Sequence, residues 1–567
     1  MKRLARPVTT SSFRSPLFAL ANDVVEHDAA RDPMFATASG IAGYDHLLTD
    51  FSPTLRPDDI AHLTETIAAV VALVPLDDID RVGQALMVER LQSRLDLLVS
   101  GESSRVFSVV TSPVAEIRQV FEIMDTSDVA VLTERLSAVR GALDSWKLTL
   151  DTLRATGELP AQRHVRGVAQ QARTYGNGSY EAFVHQVIDQ PNDALLAAAR
   201  DADAANVDLA SWMEDSLVAS APSRDAVGAE RYTQWAQYFT GASLDLHELY
   251  EWGYADLRRI VSRMFDIAAV VAPEATTLVE VAAVLDADPA RIMYGTDALL
   301  EKMKTFTQGA IEALDGTYFD MDERIRFCDA RLAPDGGSLA PYYIAPSEDL
   351  SRPGTTWFPT NGQTEFRWWH HASTWYHEGV PGHHLQCAVS VIEHERQSRF
   401  HRLEAWCSGY GEGWALYAER LMQELGFFSD IADEFGHLCD QGLRAARVVV
   451  DIGMHLELPV PAGFWPLGSL GDVSGQTWTA EMAVLVLEEL TLQSHDMAVS
   501  EVDRYLGWPG QAISYKVGER VWLRAREDAK VRLGEAFSLR AFHNYALKLG
   551  PMGLDPFAAE MRRWDGR

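Results

Sequence analysis

The chain has 567 residues, 47% of them hydrophobic, with 81 acidic and 50 basic side chains for a formal net charge of −31. That length and apolar content can bury a large core, as one big domain or two to three smaller ones. The charge argues against a nucleic-acid binder, which needs a basic footprint, and favours neutral or basic substrates. Four scattered cysteines (Cys328, Cys387, Cys407 and Cys439) with no C-x-x-C pair argue against a disulfide framework and a cysteine zinc site. The opening Met-Lys-Arg-Leu-Ala-Arg is basic, but only residues 16–21 after it are apolar, too short for a secretory segment. Residues 61–76 are broken by Glu65 and flanked by Asp, well short of a membrane span. A cytoplasmic protein with no membrane partner is the expectation.

Helical spacing of apolar residues dominates from 57 onward. It runs over 57–100 and 113–157, with Pro160 ending a run, then over 163–175, 180–201, 204–218 and 228–268. Ser243 stands as a cap before Leu-Asp-Leu-His-Glu-Leu, and residues 273–287 form another helix before an Asp-Pro turn. Between 327 and 366 the pattern changes. Asp335-Gly-Gly, Pro341, Pro346 and Pro353-Gly punctuate short Tyr- and Trp-rich runs, the stretch where strands are expected. Helices resume near 371 and last to the end, apart from a Pro- and Gly-rich loop over 457–477. The expected fold class is mainly α. Residues 1–230 are expected to form an N-terminal helical region and 231–567 to carry the chemistry, the two making one continuous unit.

Residues 376–387, Tyr-His-Glu-Gly-Val-Pro-Gly-His-His-Leu-Gln-Cys, concentrate that chemistry. Histidines at i and i+4 of a helix can share a zinc ion, with the Glu beside the first placed to take a proton from water. His377-Glu378 opens such a motif, but Pro381 stands where the second histidine belongs. In an unbroken helix His383 would point roughly 240° away from His377, and His384 would sit about 10 Å along the axis. Pro381 cannot donate to the carbonyl of residue 377 and its ring clashes there, so the helix must bulge or break, with Gly382 easing the detour. If Pro381 and Gly382 loop out, His383 takes the i+4 role; a three-residue displacement gives it to His384. The Gly-His pair at 382–383 favours His383.

A third ligand is expected from Gly-Tyr-Gly-Glu-Gly-Trp-Ala-Leu-Tyr-Ala-Glu-Arg-Leu at 409–421, where Glu412 opens a helix 35 residues past His377 and Glu419 follows two turns on. Glycines 409, 411 and 413 would let this helix start pack against the metal helix. Alone, an acidic first turn only complements the helix dipole; after His-Glu…His-His it reads as a ligand.

The stretch H-E-G-V-P-G-H-H-L-Q followed by E-G-W-A-L-Y-A-E-R-L resembles the bacterial family known as domain of unknown function 885. So do D-P-M-F-A-T-A-S-G-I-A-G-Y-D-H-L-L-T-D-F-S-P at 32–53, P-Y-Y-I-A-P at 341–346, R-V-V-V-D-I-G-M-H at 447–455, P-G-Q-A-I-S-Y-K-V-G at 509–518 and L-G-E-A-F-S-L-R-A-F-H at 533–543. The resemblance implies a zincin-like, gluzincin-type metallopeptidase: a large helical fold with a deep cleft or channel and a small β element beside a looped metal helix.

Other positions are candidates for support. Arg447, Asp451 and His455 share one helix face, as a salt-bridged stripe or as groups behind the site, with Arg447 the best candidate for an anion contact. Tyr515 is placed to stabilise an oxyanion, and Tyr342 and Tyr343 to line the cleft. His543 reads as structural. The expectation is metal-assisted hydrolysis: Zn²⁺ held by His377, His383 (alternatively His384) and Glu412, Glu378 as general base, and a short peptide as substrate. A non-peptide amide or amino-acid conjugate is an alternative substrate, and a metal-free binding protein on the same scaffold is an alternative to any enzyme.

Overall fold

The computed structural model describes residues 13–333, 340–347 and 350–567. The basic opening at 1–6 and the Asp335-Gly-Gly turn lie outside the described residues. The helical runs expected from spacing form, and local chemistry cuts them. The first splits into Arg56–Ala72 and Asp78–Ser100, the second restarting on an Asp77 cap. The next splits into Pro113–Ile123 and Val129–Thr156, capped by Ser112 and Asp128. The break expected between 201 and 204 instead falls earlier, between Ser179–Val187 and Asp193–Ser216. Pro191 cannot sit inside a helix, and Asn192 caps the new one by accepting from the Leu195 N–H at 2.9 Å. The run 228–268 divides at Gly241 into Ala229–Thr240 and Leu246–Val271. Gly241 has φ +61°, and a Cβ there would collide with Gly553. The cap of the second helix is Asp245, not Ser243, its carboxylate accepting from the N–H groups of His247 and Glu248.

Strands are few. β1 (Ile292–Tyr294) pairs antiparallel with β5 (Glu365–Arg367). A separate sheet has the order β2-β4-β3, with β2 (Asp329–Leu332) parallel and β3 (Tyr342–Ile344) antiparallel to β4 (Thr355–Phe358). Among the described residues, four of the five strands lie in the stretch where the pattern changed. The fold is mainly α.

Burial joins the chain in an order that sequence position hides. Apolar residues of 107–221 pack chiefly on one another and on Met34. Residues from 17 to 91 share their core with Tyr376, Trp414, Trp522 and Phe557. The earliest helices therefore belong to the same core as the site, and the self-contained unit within the N-terminal half is 107–221. No helix among the described residues is long and apolar enough to cross a membrane.

Candidate metal centre

The helix Ala372–Glu378 stops at Glu378, and the next helix, His383–Ile392, begins at His383. The interruption is four residues, Gly379 to Gly382, rather than the two expected. Gly379 already leaves helical backbone at ψ −126°, and Val380–Pro381 is cis. A Cβ on Gly382 would collide with the carbonyl of His377, so this position needs glycine. Several of the detour's backbone polar groups are paired. The Gly382 N–H donates to the Tyr376 carbonyl at 3.0 Å and that of His384 to Gly379 at 3.1 Å. The indole N–H of Trp414 donates to the carbonyls of Pro381 (2.9 Å) and Gly382 (3.1 Å).

The detour brings the His383 ring edge-on to His377, with centroids 4.8 Å apart at 88°. Glu412, on the helix Ser408–Glu424, completes the group. Its Oε2 lies 3.2 Å from His377 Nε2 and 3.6 Å from His383 Nε2. One ligand atom from each of the three lies within 4.8 Å of the others. His384 faces elsewhere: its Nδ1 accepts from the Tyr343 hydroxyl at 3.0 Å and its Nε2 donates to the Ile325 carbonyl at 2.9 Å. Burial pushes its pKa down to about 4, so it is a neutral strut between the strand and the helix.

Behind His377 stands a residue whose role the sequence did not single out. Glu419 is fully buried, and its carboxylate accepts from His377 Nδ1 at 2.7 Å and from the Ser373 hydroxyl at 2.6 Å. A seven-residue step puts Glu412 and Glu419 on one helix face, a signal that was available. Burial lowers the His377 pKa, but hydrogen bonds to Glu412 and Glu419 outweigh it and hold the ring up at about 10. Burial would raise Glu412; the two imidazoles outweigh it and hold the carboxylate well below its ordinary range. Glu378 goes the other way. Burial raises it, opposed by His383 and His377 and reinforced by Glu412, which makes it a stronger base than a free carboxylate. Two imidazole nitrogens and one carboxylate oxygen, with a second carboxylate holding the far nitrogen of one ring, are a donor set that fits zinc.

Tyr515, on the helix Ser514–Leu533, lies alongside, its ring centroid 6.3 Å from that of His377. This helix reaches the site because glycines let it approach Ser408–Glu424. A Cβ on Gly413 would strike Gly518, and one on Gly518 would strike Gly409. Gly413 thus serves the contact with the tyrosine helix rather than with the metal helix, while Gly409 makes room for Leu554 and Thr240 and Gly411 for Trp406. Arg447 stacks its guanidinium 4.7 Å over the Tyr515 ring. Its Nη2 pairs with Glu501 at 2.7 Å and its Nε donates to Tyr505 at 3.0 Å, so it braces Tyr515 and already holds an anion.

Asp451 and His455 lie on the same face but away from the site. Asp451 accepts from the Tyr232 hydroxyl (2.7 Å), and His455 Nε2 donates to the Tyr505 carbonyl (3.0 Å). Tyr342 stacks on Trp357 on the small sheet. His543 packs on Phe319 and bonds the Tyr417 hydroxyl at 2.7 Å, a structural histidine.

A family model described as bacterial protein of unknown function (DUF885) matches residues 33–561. No curated protein matches the chain. Among solved structures, a candidate lipoprotein from Colwellia psychrerythraea is similar at TM-score 0.82 and 21% identity, over 97% of this chain and 98% of that one. A candidate lipoprotein of unknown function from Shewanella oneidensis is similar at TM-score 0.75 and 18% identity, over 96% and 99%. At these identities the likeness speaks to the fold alone.

Proposed function

The chain belongs to the DUF885 family of bacterial proteins of unknown function, and from the site it carries we propose a zinc-dependent hydrolase of amide bonds, acting as a metallopeptidase on short peptides. The observation that carries this reading is the convergence of His377, His383 and Glu412 within 4.8 Å, beside Glu378. The substrate is short because the ligands are deep: His377 is 3% exposed and His383 9%. A folded protein would not reach them.

When bound, zinc would polarise the scissile carbonyl and lower the pKa of its water to about 7. His377, His383 and Glu412 would hold the ion, and Glu419 fixes the orientation of the His377 ring. Glu378 takes the proton of the attacking water and returns it to the leaving amine. The Tyr515 hydroxyl donates to the oxyanion developing on the substrate carbonyl, its ring held between His377 and the Arg447 guanidinium.

The test is Glu378→Gln. Turnover of a panel of di- to octapeptides should fall by about 10²–10⁴-fold while one zinc per chain is retained. Full activity in that variant would contradict the mechanism.

A further inference from the structure

A cavity of about 750 Å³ lies between the N-terminal helices and the approach to the site. Trp406 connects the two. It lines the cavity, is 47% exposed, and its ring centroid lies 6.4 Å from that of His383. The volume suits a peptide segment. One wall is aromatic, where Trp235, Tyr238, Phe239 and Trp508 pack in edge-on and stacked contacts.

The lining is also acidic: it carries six carboxylates, of which Asp59, Asp28 and Glu158 are paired with Arg31, Arg94 and Arg105, leaving Asp32, Asp50 and Glu116. Each arginine of the lining is already engaged. Arg31 pairs with Asp59 at 2.9 Å, Arg94 with Asp28 and Glu404 at 2.8 Å each, and Arg56 donates to the carbonyls of Leu98 and Val99. Asp32 meets backbone N–H groups and Thr49 rather than a cation. Glu116 carries exposed surface, yet burial is the main cause that raises its carboxyl to about 7, with Asp32 adding like charge. Glu116 lines the cavity.

We propose that this cavity is the distal part of the substrate cleft and binds the ammonium or guanidinium of a basic residue in the peptide, seated between Glu116 and the aromatic wall. The incoming cation favours the ionised form of Glu116, which then supplies a charge-assisted hydrogen bond, and the rings supply cation–π contact. The role of the cavity as part of a substrate cleft rests on the hydrolase reading; its preference for a cation rests on its lining alone.

The probes are heptapeptides of alanine, capped at both ends, with one lysine at each position in turn, and the same set with Nε-acetyl-lysine. Binding is measured by calorimetry on the zinc-loaded Glu378→Gln variant, and hydrolysis on the wild type. At one position lysine should bind about tenfold more tightly than acetyl-lysine. Adding Glu116→Gln should reduce that ratio to about twofold or less, with acetyl-lysine binding unchanged as the control for folding. Equal binding of both sets, or a preference that survives Glu116→Gln, would overturn the proposal. Hydrolysis without lysine preference would sink the cavity's role and leave the hydrolase reading standing. Lysine-dependent binding with no hydrolysis by the wild type would do the reverse.

Discussion

Among the described residues, two places bring a pair of histidines and a carboxylate within metal-binding reach: His377, His383 and Glu412, and His27, Asp28 and His62. They differ in what surrounds the donors. In the first, the rings stand at 88°, so their in-plane lone pairs can aim at one point. In the second, the rings lie face to face, 3.5 Å apart at 13°, and their lone pairs run parallel. His377 has Glu419 behind its far nitrogen, whereas Asp28 is held by Arg94 at 2.8 Å, a fixed cation where an incoming ion would have to compete. Donor type and spacing make half of a metal site. Ring orientation and the charge behind the donors make the rest.

The largest effect that would sharpen this contrast is at Tyr515, beside the first cluster. Tyr515→Phe keeps the ring beside His377 and removes the hydroxyl, so kcat should fall by about 10²–10³-fold with zinc retained. Steady-state kinetics beside elemental analysis checks both halves. Glu419→Gln strikes the contrast directly. Zinc affinity measured by chelator competition should fall about 10–100-fold, and an unchanged affinity would mean that the buried carboxylate does not distinguish the two clusters.

A smaller effect lies at the second cluster, where Glu404 shares Arg94 with Asp28. Burial, opposed by Arg94 and reinforced by Asp28, holds the Glu404 carboxyl up to about 8. An unfolded glutamate releases its proton near pH 4.3, so between roughly pH 4 and 8 the folded chain binds the extra proton and stability declines as pH rises. Glu404→Gln removes that slope. The Tm of the wild type relative to the variant should drop from about pH 5 to pH 8, and parallel curves would contradict the assignment. Smallest of all is His27→Ala, which should leave the zinc content unchanged.

Much of the site was legible because its residues are close in sequence. His377-Glu378, the proline that breaks the helix, and the late histidine all lie within seven residues, and Glu412 opens the next glycine-rich helix but one. The length of the detour was not legible, since it depends on Gly379 leaving the helix and on Trp414 donating to carbonyls 32 and 33 residues away. Glu419 sat at a readable spacing, but its burial against His377 is a tertiary fact. The same holds for the glycines: their small size was evident, while the partner each admits is set by tertiary packing, for Gly413 by how Ser514–Leu533 crosses the helix. In the fold, helix existence followed from periodicity. Breaks were misplaced where a single Asn or Asp cap outweighed it, and the sharing of one core by residues 17–91 and the site helices left no local trace.

The central claim is that a broken helix delivers His383, not His384, to a zinc site with His377 and Glu412. Zinc content of the purified wild type, His383→Ala and His384→Ala tests it most directly. One zinc per chain in the wild type and in His384→Ala, with loss in His383→Ala, is the predicted result. A wild type without zinc, or a His383→Ala variant that keeps the metal while His384→Ala loses it, would contradict the account.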